Sequence, residues 1–344
     1  MLQRLFIFLL IFLILPDIYL YLRFIVHLTA RRWLKILYWL PTFLLSTGLL
    51  YLVYFSNNAF AERHTQDIGW FSIFFFLFTA PKLLLFLCTV IGIPFHKWLR
   101  WPRTPFICTG LTLAVVSIVM IIYGSFIGRT QFDVKEVTYS SSKLPSSFDG
   151  YRIVQLSDIH IGSWQGNASA IQNLVNLVNE QHPDLIAFTG DLVNHRAIEL
   201  NDFQHILAGL KAKDGVYSIL GNHDYGPYFR WKNEGEPPFS QYADLPKAMQ
   251  GTEGMFQILL SHNPTHWRRE VLPESDIDLM LAGHTHAMQL KLGNYSPSSY
   301  IYPEWSGMYL EGTRGLYVNV GIGYVGLPFR FGAWPEITVL TLRR

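Results

Sequence analysis

The residues able to do chemistry lie in the second half of this 344-residue chain, in five short motifs. In order they are Asp158-Ile159-His160, Gly190-Asp191, Gly221-Asn222-His223-Asp224, Ser261-His262-Asn263 and Gly283-His284-Thr285-His286. Asp158, His160, Asp191, Asn222, His262, His284 and His286 form a mixed oxygen and imidazole set, which suits two divalent metals sharing a carboxylate. A phosphoester anion repels hydroxide and leaves slowly. Two cations about 3.5–4 Å apart can bind the phosphate, generate hydroxide and absorb charge in the transition state. Asn222 is a neutral oxygen donor and limits negative charge beside such a substrate. Gly190 lets the backbone turn so that Asp191 can bridge. His223 directly follows a candidate ligand and is placed to protonate a leaving oxygen. Asp224 is expected to orient it. His182, His195, His205 and His266 stand outside the motifs and read as ordinary core or surface residues. Each motif alone is a weak signal; the ordered set, each after an apolar run, carries the reading.

Those apolar runs are the elements that must position the motifs. Tyr151–Leu156 leads into Asp158, Leu185–Phe188 into Asp191 and Val216–Leu220 into Asn222. Phe256–Leu260 leads into His262 and Ile277–Leu281 into His284, while Leu316–Val320 and Ile337–Leu342 follow later. Helical spacing is read between the early strands. Asn167–Gln181 places Ile171, Leu174, Val175 and Val178 on one face, and Asn201–Lys211 does so with Phe203, Ile206, Leu207 and Leu210, Asn201 serving as N-cap. Alternating strand and helix predicts an α/β fold with layered sheets. Ligands in such folds collect beyond the carboxyl ends of the strands, so all five motifs can converge on one edge.

The first part of the chain is of another kind. Residues 1–130 hold eleven Lys/Arg against three Asp/Glu, and residues 131–344 hold sixteen against twenty-two. An acidic catalytic half is a poor match for long nucleic acid, so no nucleic-acid partner is expected. Apolar stretches near Leu5–Leu22, Trp33–Phe55, Ile68–Ile93 and Pro105–Ile127 are each long enough to cross a bilayer. Pro81 and Lys82 predict a kink in the third, or two shorter pieces. The first lacks a small-residue cleavage site and reads as a retained span. Asp17 and Lys82 read as end residues snorkelling toward an interface. Arg23, Arg31, Arg32, Lys35, Lys97, Arg100 and Arg103 put the first and third loops in the cytoplasm, with both termini and the catalytic half on the extracytoplasmic side of a cell membrane. Cys88 and Cys108 both fall in apolar segments, which excludes a disulfide framework or thiolate zinc site in the C-terminal half.

The motifs resemble those of the calcineurin-like metallophosphoesterases, and the whole chain is similar to their membrane-anchored bacterial branch. The resemblance runs from about Tyr151 to Leu342 and includes the plan of apolar N-terminal spans. It implies a four-layer αββα sandwich over 151–344, after a transmembrane region at 1–129 and a linker with a first edge strand at 130–150. It also implies that Asp158, His160 and His286 bind one metal, that Asp191 bridges, and that Asn222, His262 and His284 complete the second site. His223 is then the acid or phosphate contact. Two departures stand out. The stretch between 225 and 255 is short, as though roughly forty to fifty residues were missing against the usual element lengths, and this puts the sheet positioning His262 in question. Ala287 stands where relatives usually carry Gly, so a positive φ there would cost about 1 kcal/mol.

The expected activity is metal-dependent hydrolysis of a phosphodiester, pyrophosphate or phosphomonoester, with manganese, iron or zinc as the metal. Tethering beside a lipid bilayer makes a phospholipid or lipid-linked nucleotide a reasonable substrate, and the aromatics of Tyr225–Trp231 and Tyr300–Trp305 can meet acyl or sugar surfaces or simply pack. The alternative is a truncated, inactive or weakly active membrane protein acting in partner binding.

Overall fold

The computed structural model describes residues 2–55, 64–226 and 244–344. The chain divides into two compact units, Met1–Ser125 and Phe126–Arg344. In the first, α1 (Leu2–Leu20) continues through a π-helical turn (Tyr21–Ile25) into Val26–Leu28. Then come α2 (Arg32–Phe55), α3 (Thr65–Leu99) and α4 (Thr104–Phe126). All four are long and apolar enough to cross a membrane. Their outward side chains, such as Phe12, Phe43 and Val115, are large and apolar, the reverse of a water-soluble bundle. Of the two outcomes expected at Pro81, a division into shorter pieces does not occur: α3 runs unbroken through Pro81 and Pro94. In an apolar surrounding, breaking the helix would leave backbone groups with no water to bond.

The snorkelling reading of Asp17 and Lys82 is corrected. Asp17 is fully buried. Lys82 Nζ on α3 lies 2.8 Å from Asp17 Oδ1 and 3.0 Å from Oδ2. From α2, Tyr38 donates its hydroxyl to the Asp17 backbone oxygen at 3.0 Å and to Oδ1 at 3.2 Å, and Thr42 donates to Oδ2. The Lys82 ammonium also lies 5.5 Å from the Tyr38 ring centroid. A carboxylate away from water is tolerable only with such a set of partners, and this one ties three helices together.

The second unit is built on two sheets. In one, the strand order is β1 (Asp133–Ser140), β9 (Glu336–Arg343), β2 (Arg152–Leu156), β3 (Leu185–Phe188), β4 (Val216–Ser218). In the other it is β5 (Ile258–Leu260), β6 (Leu279–Ala282), β8 (Arg314–Val318), β7 (Gly307–Glu311). Among the strands of the described residues, only the β2–β9 and β7–β8 pairings are antiparallel. The period-two alternation of strand side chains decides the layering. Ile153, Ala187, Leu340 and Leu342 of the first sheet meet Leu279, Leu281 and Tyr317 of the second in a central core. On the opposite face of the first sheet, Val154, Leu156, Ile186 and Val339 pack against Ile171, Leu174, Val175 and Val178 of α5 (Ala168–Glu180). Met280, Ala282, Leu316 and Val318 turn outward from the second sheet. They are covered by Leu245, in α7 (Leu245–Met249), and by Trp267 and Val271 of a π-helical turn. The layers are therefore αββα.

The helix expected over 201–211 is a single turn, α6 (Gln204–Leu207). Gly209 follows the C-cap Ala208 and disfavours continuation, although Phe203 and Ile206 are buried as their spacing indicated. Strand β7 was not foreseen; it is a half-exposed edge without alternation. Of the short stretch at 225–255, residues 227–243 lie outside the described residues. The strands on either side, β4 and β5, are three-residue edges, and β4 is exposed along its whole length.

Candidate metal centre

The five motifs follow β2, β3, β4, β5 and β6, so they meet at the carboxyl edge of both sheets. Their loops are held in unusual backbone shapes. Asp158, His160, Asp191, His284 and His286 all have positive φ, between 47° and 73°. Five non-glycine residues in the left-handed region at one edge represent strain that the surroundings must over-determine. Main-chain bonds do so: Asp158 N–H donates to Gly190 O at 2.9 Å, His160 N–H to Asp191 O at 3.1 Å and Gly323 N–H to Asp158 O at 2.7 Å. Two glycines permit the close approach. A Cβ on Gly221 would collide with Asp191 Oδ1, and one on Gly283 with Asp158 Oδ2.

Inside this frame the imidazoles and carboxylates face one another. Asp158 Oδ1 lies 3.2 Å from His286 Nε2, which is 3.1 Å from His160 Nε2. Asp191 Oδ2 lies 3.1 Å from His262 Nε2 and 3.7 Å from His160 Nε2. His262 Nε2 in turn is 3.2 Å from His284 Nδ1. Among the described residues, three groups could each hold a metal ion: Asp158, His160 and His286; His160, Asp191 and His223; Asp191, His262 and His284. Asp191 is shared by the last two. The donor chemistry fits a cation, because imidazole nitrogens aimed at each other and at carboxylate oxygens have too few protons to satisfy all their lone pairs. His262 faces Asp191 despite the short stretch before it, and its Nδ1 is held 2.8 Å from the Thr189 carbonyl.

Electrostatics follow from crowding. Burial alone would raise Asp158, yet the imidazoles of His286 and His262 pull it well below the usual carboxylate range. Asp191 is likewise lowered against its burial, by His262. His262 is disfavoured by burial, but Asp158 and Asp191 push it up to about 9. Burial and the neighbouring His262 bring His284 down to about 4, and burial with His286 lowers His160.

His223 N–H donates to Asp191 Oδ1 at 2.8 Å, and its Nδ1 lies 2.7 Å from Asn194 O. Its ring stands edge-on to His160, with centroids 4.7 Å apart. The expectation that Asp224 orients the His223 ring is corrected. The Asp224 carboxylate accepts from the N–H groups of Asp191 (2.7 Å), Leu192 (2.8 Å), Val193 (3.1 Å) and Gly221 (2.8 Å). It ties the Asp191 loop to the Asn222 loop. The His223 ring is instead held by a main-chain carbonyl.

Several supporting residues escaped the sequence reading. Tyr302 hydroxyl lies 3.0 Å from His284 Nε2, and Arg330 Nη2 lies 3.0 Å from His286 Nδ1. Arg330 is fully buried and donates to the carbonyls of Gly323, Ala333 and Val320. Glu199 accepts from the N–H groups of Asn194, His195 and Arg196, fixing the loop that supplies the His223 partner. Tyr302 lay in an aromatic cluster that could be noticed; Arg330 and Glu199 carry no sequence signal for such a role. A cavity of ≈ 340 Å³ opens here, lined by Asp191, Asn222, His223, His284, His286 and Tyr302 among others. A larger one of ≈ 1050 Å³ lies by the residues preceding β5 and β6, at the opposite strand ends, and has no histidine in its wall.

Comparison with known proteins agrees with this architecture. Residues 3–129 match the four-transmembrane phosphoesterase family, the transmembrane domain of calcineurin-like phosphoesterases. Residues 151–288 match the calcineurin-like phosphoesterase family. An uncharacterized metallophosphoesterase of Bacillus subtilis, YkuE, is 32% identical over 265 residues, covering 64% of this chain and 89% of the relative. A transmembrane protein with metallophosphoesterase domain from Danio rerio is 30% identical over 272 residues, 67% of this chain and 62% of its own length. Its Bos taurus counterpart is 28% identical over 316 residues, 76% and 71% of the two chains. No solved structure is matched. A metallophosphoesterase domain is thus common to the sequence, the fold and the relatives, and the chain belongs to the calcineurin-like metallophosphoesterases.

Proposed function

We propose that the second unit is a dinuclear metal-dependent hydrolase of phosphoesters, acting on a phosphodiester, pyrophosphate or phosphomonoester. Asp158, His160 and His286 would hold one divalent ion, Asn222, His262 and His284 would hold the other, and Asp191 would serve both. The observation that carries this reading is the position of Asp191 Oδ2, within 3.1 Å of His262 and 3.7 Å of His160 from two different imidazole groups. Divalent ions bound there would polarise the phosphoryl group and lower the pKa of water to near neutrality. Manganese, iron and zinc all suit the donor set.

The chain's own residues do the rest. With Nδ1 directed at Asn194 O, His223 presents its other ring nitrogen for protonating the leaving oxygen. Asp224 holds the Asp191 loop so that the shared carboxylate keeps its aim. Asn222 contributes an uncharged oxygen beside the substrate anion. The basic first and third loops favour a catalytic unit on the extracytoplasmic side. Tethering to the bilayer favours a phospholipid or lipid-linked nucleotide as substrate.

The test is turnover of a chromogenic phosphodiester by purified full-length protein with manganese. Activity lost in Asp191→Ala supports the assignment. Metal bound by the unaltered chain without turnover of any phosphoester in a broad panel would favour the partner-binding alternative.

A further inference from the structure

One surface at the mouth of the candidate centre is not explained by chemistry. The segment 288–302 leaves the His286 turn and returns to Tyr302 against His284. It carries Met288, Leu292, Tyr295, Tyr300 and Ile301, all exposed, and Val325 is exposed on the facing loop. Tyr300 is 81% exposed and Ile301 58%. Met288, Tyr302 and Val325 line the cavity itself. The segment has its own supports: Ser296 donates its hydroxyl to Ala287 O at 2.6 Å, and the Tyr295 and Tyr300 rings stack edge-on at 6.2 Å. Large apolar groups held in water around a polar cavity mark a surface that meets something apolar.

The occupant is indicated by where the chain leaves the membrane. The fourth apolar span ends at Thr130, and β1 begins at Asp133. Three residues reach at most about 10 Å. Within the second unit, Gly128 and Arg129 rest on the loop that carries Val325. Gly128 abuts the Arg330 carbonyl and the Trp334 ring too closely to admit a side chain. Arg129 Nη1 donates to the Tyr324 hydroxyl at 3.5 Å, and its guanidinium lies 5.9 Å from that ring centroid. Tyr324 directly precedes Val325, which lines the cavity. The membrane attachment and the apolar rim are therefore continuous through one loop.

We propose that the rim formed by 288–302 and Val325 docks into the interfacial layer of the bilayer, so that the centre takes its phosphoester from amphiphilic molecules resident in the membrane. The headgroup phosphate would enter the cavity while the acyl portion stays among Tyr300, Ile301 and Val325. Aromatic and branched apolar side chains suit that boundary, where one end is apolar and the other wet. The catalytic part of this proposal rests on the hydrolase reading; the docking part does not.

Two arms separate these. Full-length Cys88→Ala/Cys108→Ala protein carrying Tyr300→Cys is labelled with an environment-sensitive dye. It is placed in nanodiscs of phosphatidylethanolamine and phosphatidylglycerol with bromine-labelled acyl chains. The same label at Leu310→Cys is the control: Leu310 is 63% exposed but pairs with Gly315, at the opposite end of β8 from the mouth. Blue-shifted, bromine-quenched emission at 300 and not at 310 is expected; equal quenching at both, or none, overturns docking. In the second arm, Tyr300→Ser/Ile301→Ser is assayed in phospholipid vesicles on hexadecyl nitrophenyl phosphate and on soluble bis-nitrophenyl phosphate. The loss on the hexadecyl ester should exceed that on the soluble ester by about tenfold, as removal of two side chains that the bilayer would partly bury implies. An equal loss on both esters overturns the substrate class. If unaltered protein cleaves neither ester, the hydrolase reading fails while the quenching arm still decides docking.

Discussion

Among the buried acids of the described residues, two clusters are finished differently. In the membrane unit, Asp17 has an ammonium, a phenol and a hydroxyl around it, and its charge is met by Lys82. At the sheet edge, Asp158 and Asp191 face imidazoles that themselves face one another at 3.1–3.2 Å. The first cluster is complete and locks helices. The second has more lone pairs than protons, a balance that cations would complete. Burial of a carboxylate does not by itself mark a catalytic site; the balance of donors around it does.

The largest effect expected from breaking this contrast is at Asp191. Asp191→Ala should lower phosphodiester turnover by about 1000-fold or more, since on the proposed reading it removes the carboxylate that two cations would share. Asp17→Asn, tested at equal folded protein, should leave turnover per bound metal unchanged. A steady-state assay with metal analysis distinguishes them. Next comes the membrane cluster. Lys82→Met should destabilise the protein in detergent by about 3 kcal/mol, because it strands a buried carboxylate. Adding Asp17→Asn should restore more than half of that loss in thermal unfolding. If the double variant is no better than the single one, the pair is not a clamp.

The acid balance of the cage also gives a pH signature. With chelator present, His262 sits at about 9 against an unfolded value near 6.5, so its stabilisation is full below pH 6.5 and is lost as pH rises through 9. His284, at about 4, contributes stability above pH 6.5 that is lost as pH falls through 4. Chelated protein should therefore unfold at the highest temperature near pH 6.5. Metal binding must expel the His262 proton, so apparent metal affinity should rise between pH 6.5 and 9, with proton release seen by calorimetry in two buffers. The smallest effect is expected at Ala287. Its φ of +46° bears out the strain anticipated from its sequence position. Ala287→Gly relieves about 1 kcal/mol of strain but removes a buried methyl worth about 0.8, so stability should move by less than about 0.5 kcal/mol.

Much of this was legible because strands alternate and chemistry follows them. The runs before Asp158, Asp191, Asn222, His262 and His284 are all followed by motifs at one sheet edge. What was hidden depends on distant partners. Nothing in the sequence says that Lys82 lies against Asp17, sixty-five positions away, rather than in a headgroup layer. Adjacency suggested that Asp224 serves His223, yet its carboxylate turns back to four N–H groups from two loops. Arg330 under His286 lies in a loop with no periodicity to read. Strand β7 was missed because an exposed edge does not alternate.

The central claim is most directly tested by electron paramagnetic resonance of manganese-loaded full-length protein. The account predicts a multiline signal from two exchange-coupled ions, replaced by uncoupled manganese in Asp191→Ala. A signal from one isolated ion in the unaltered chain, at saturating manganese, would contradict it.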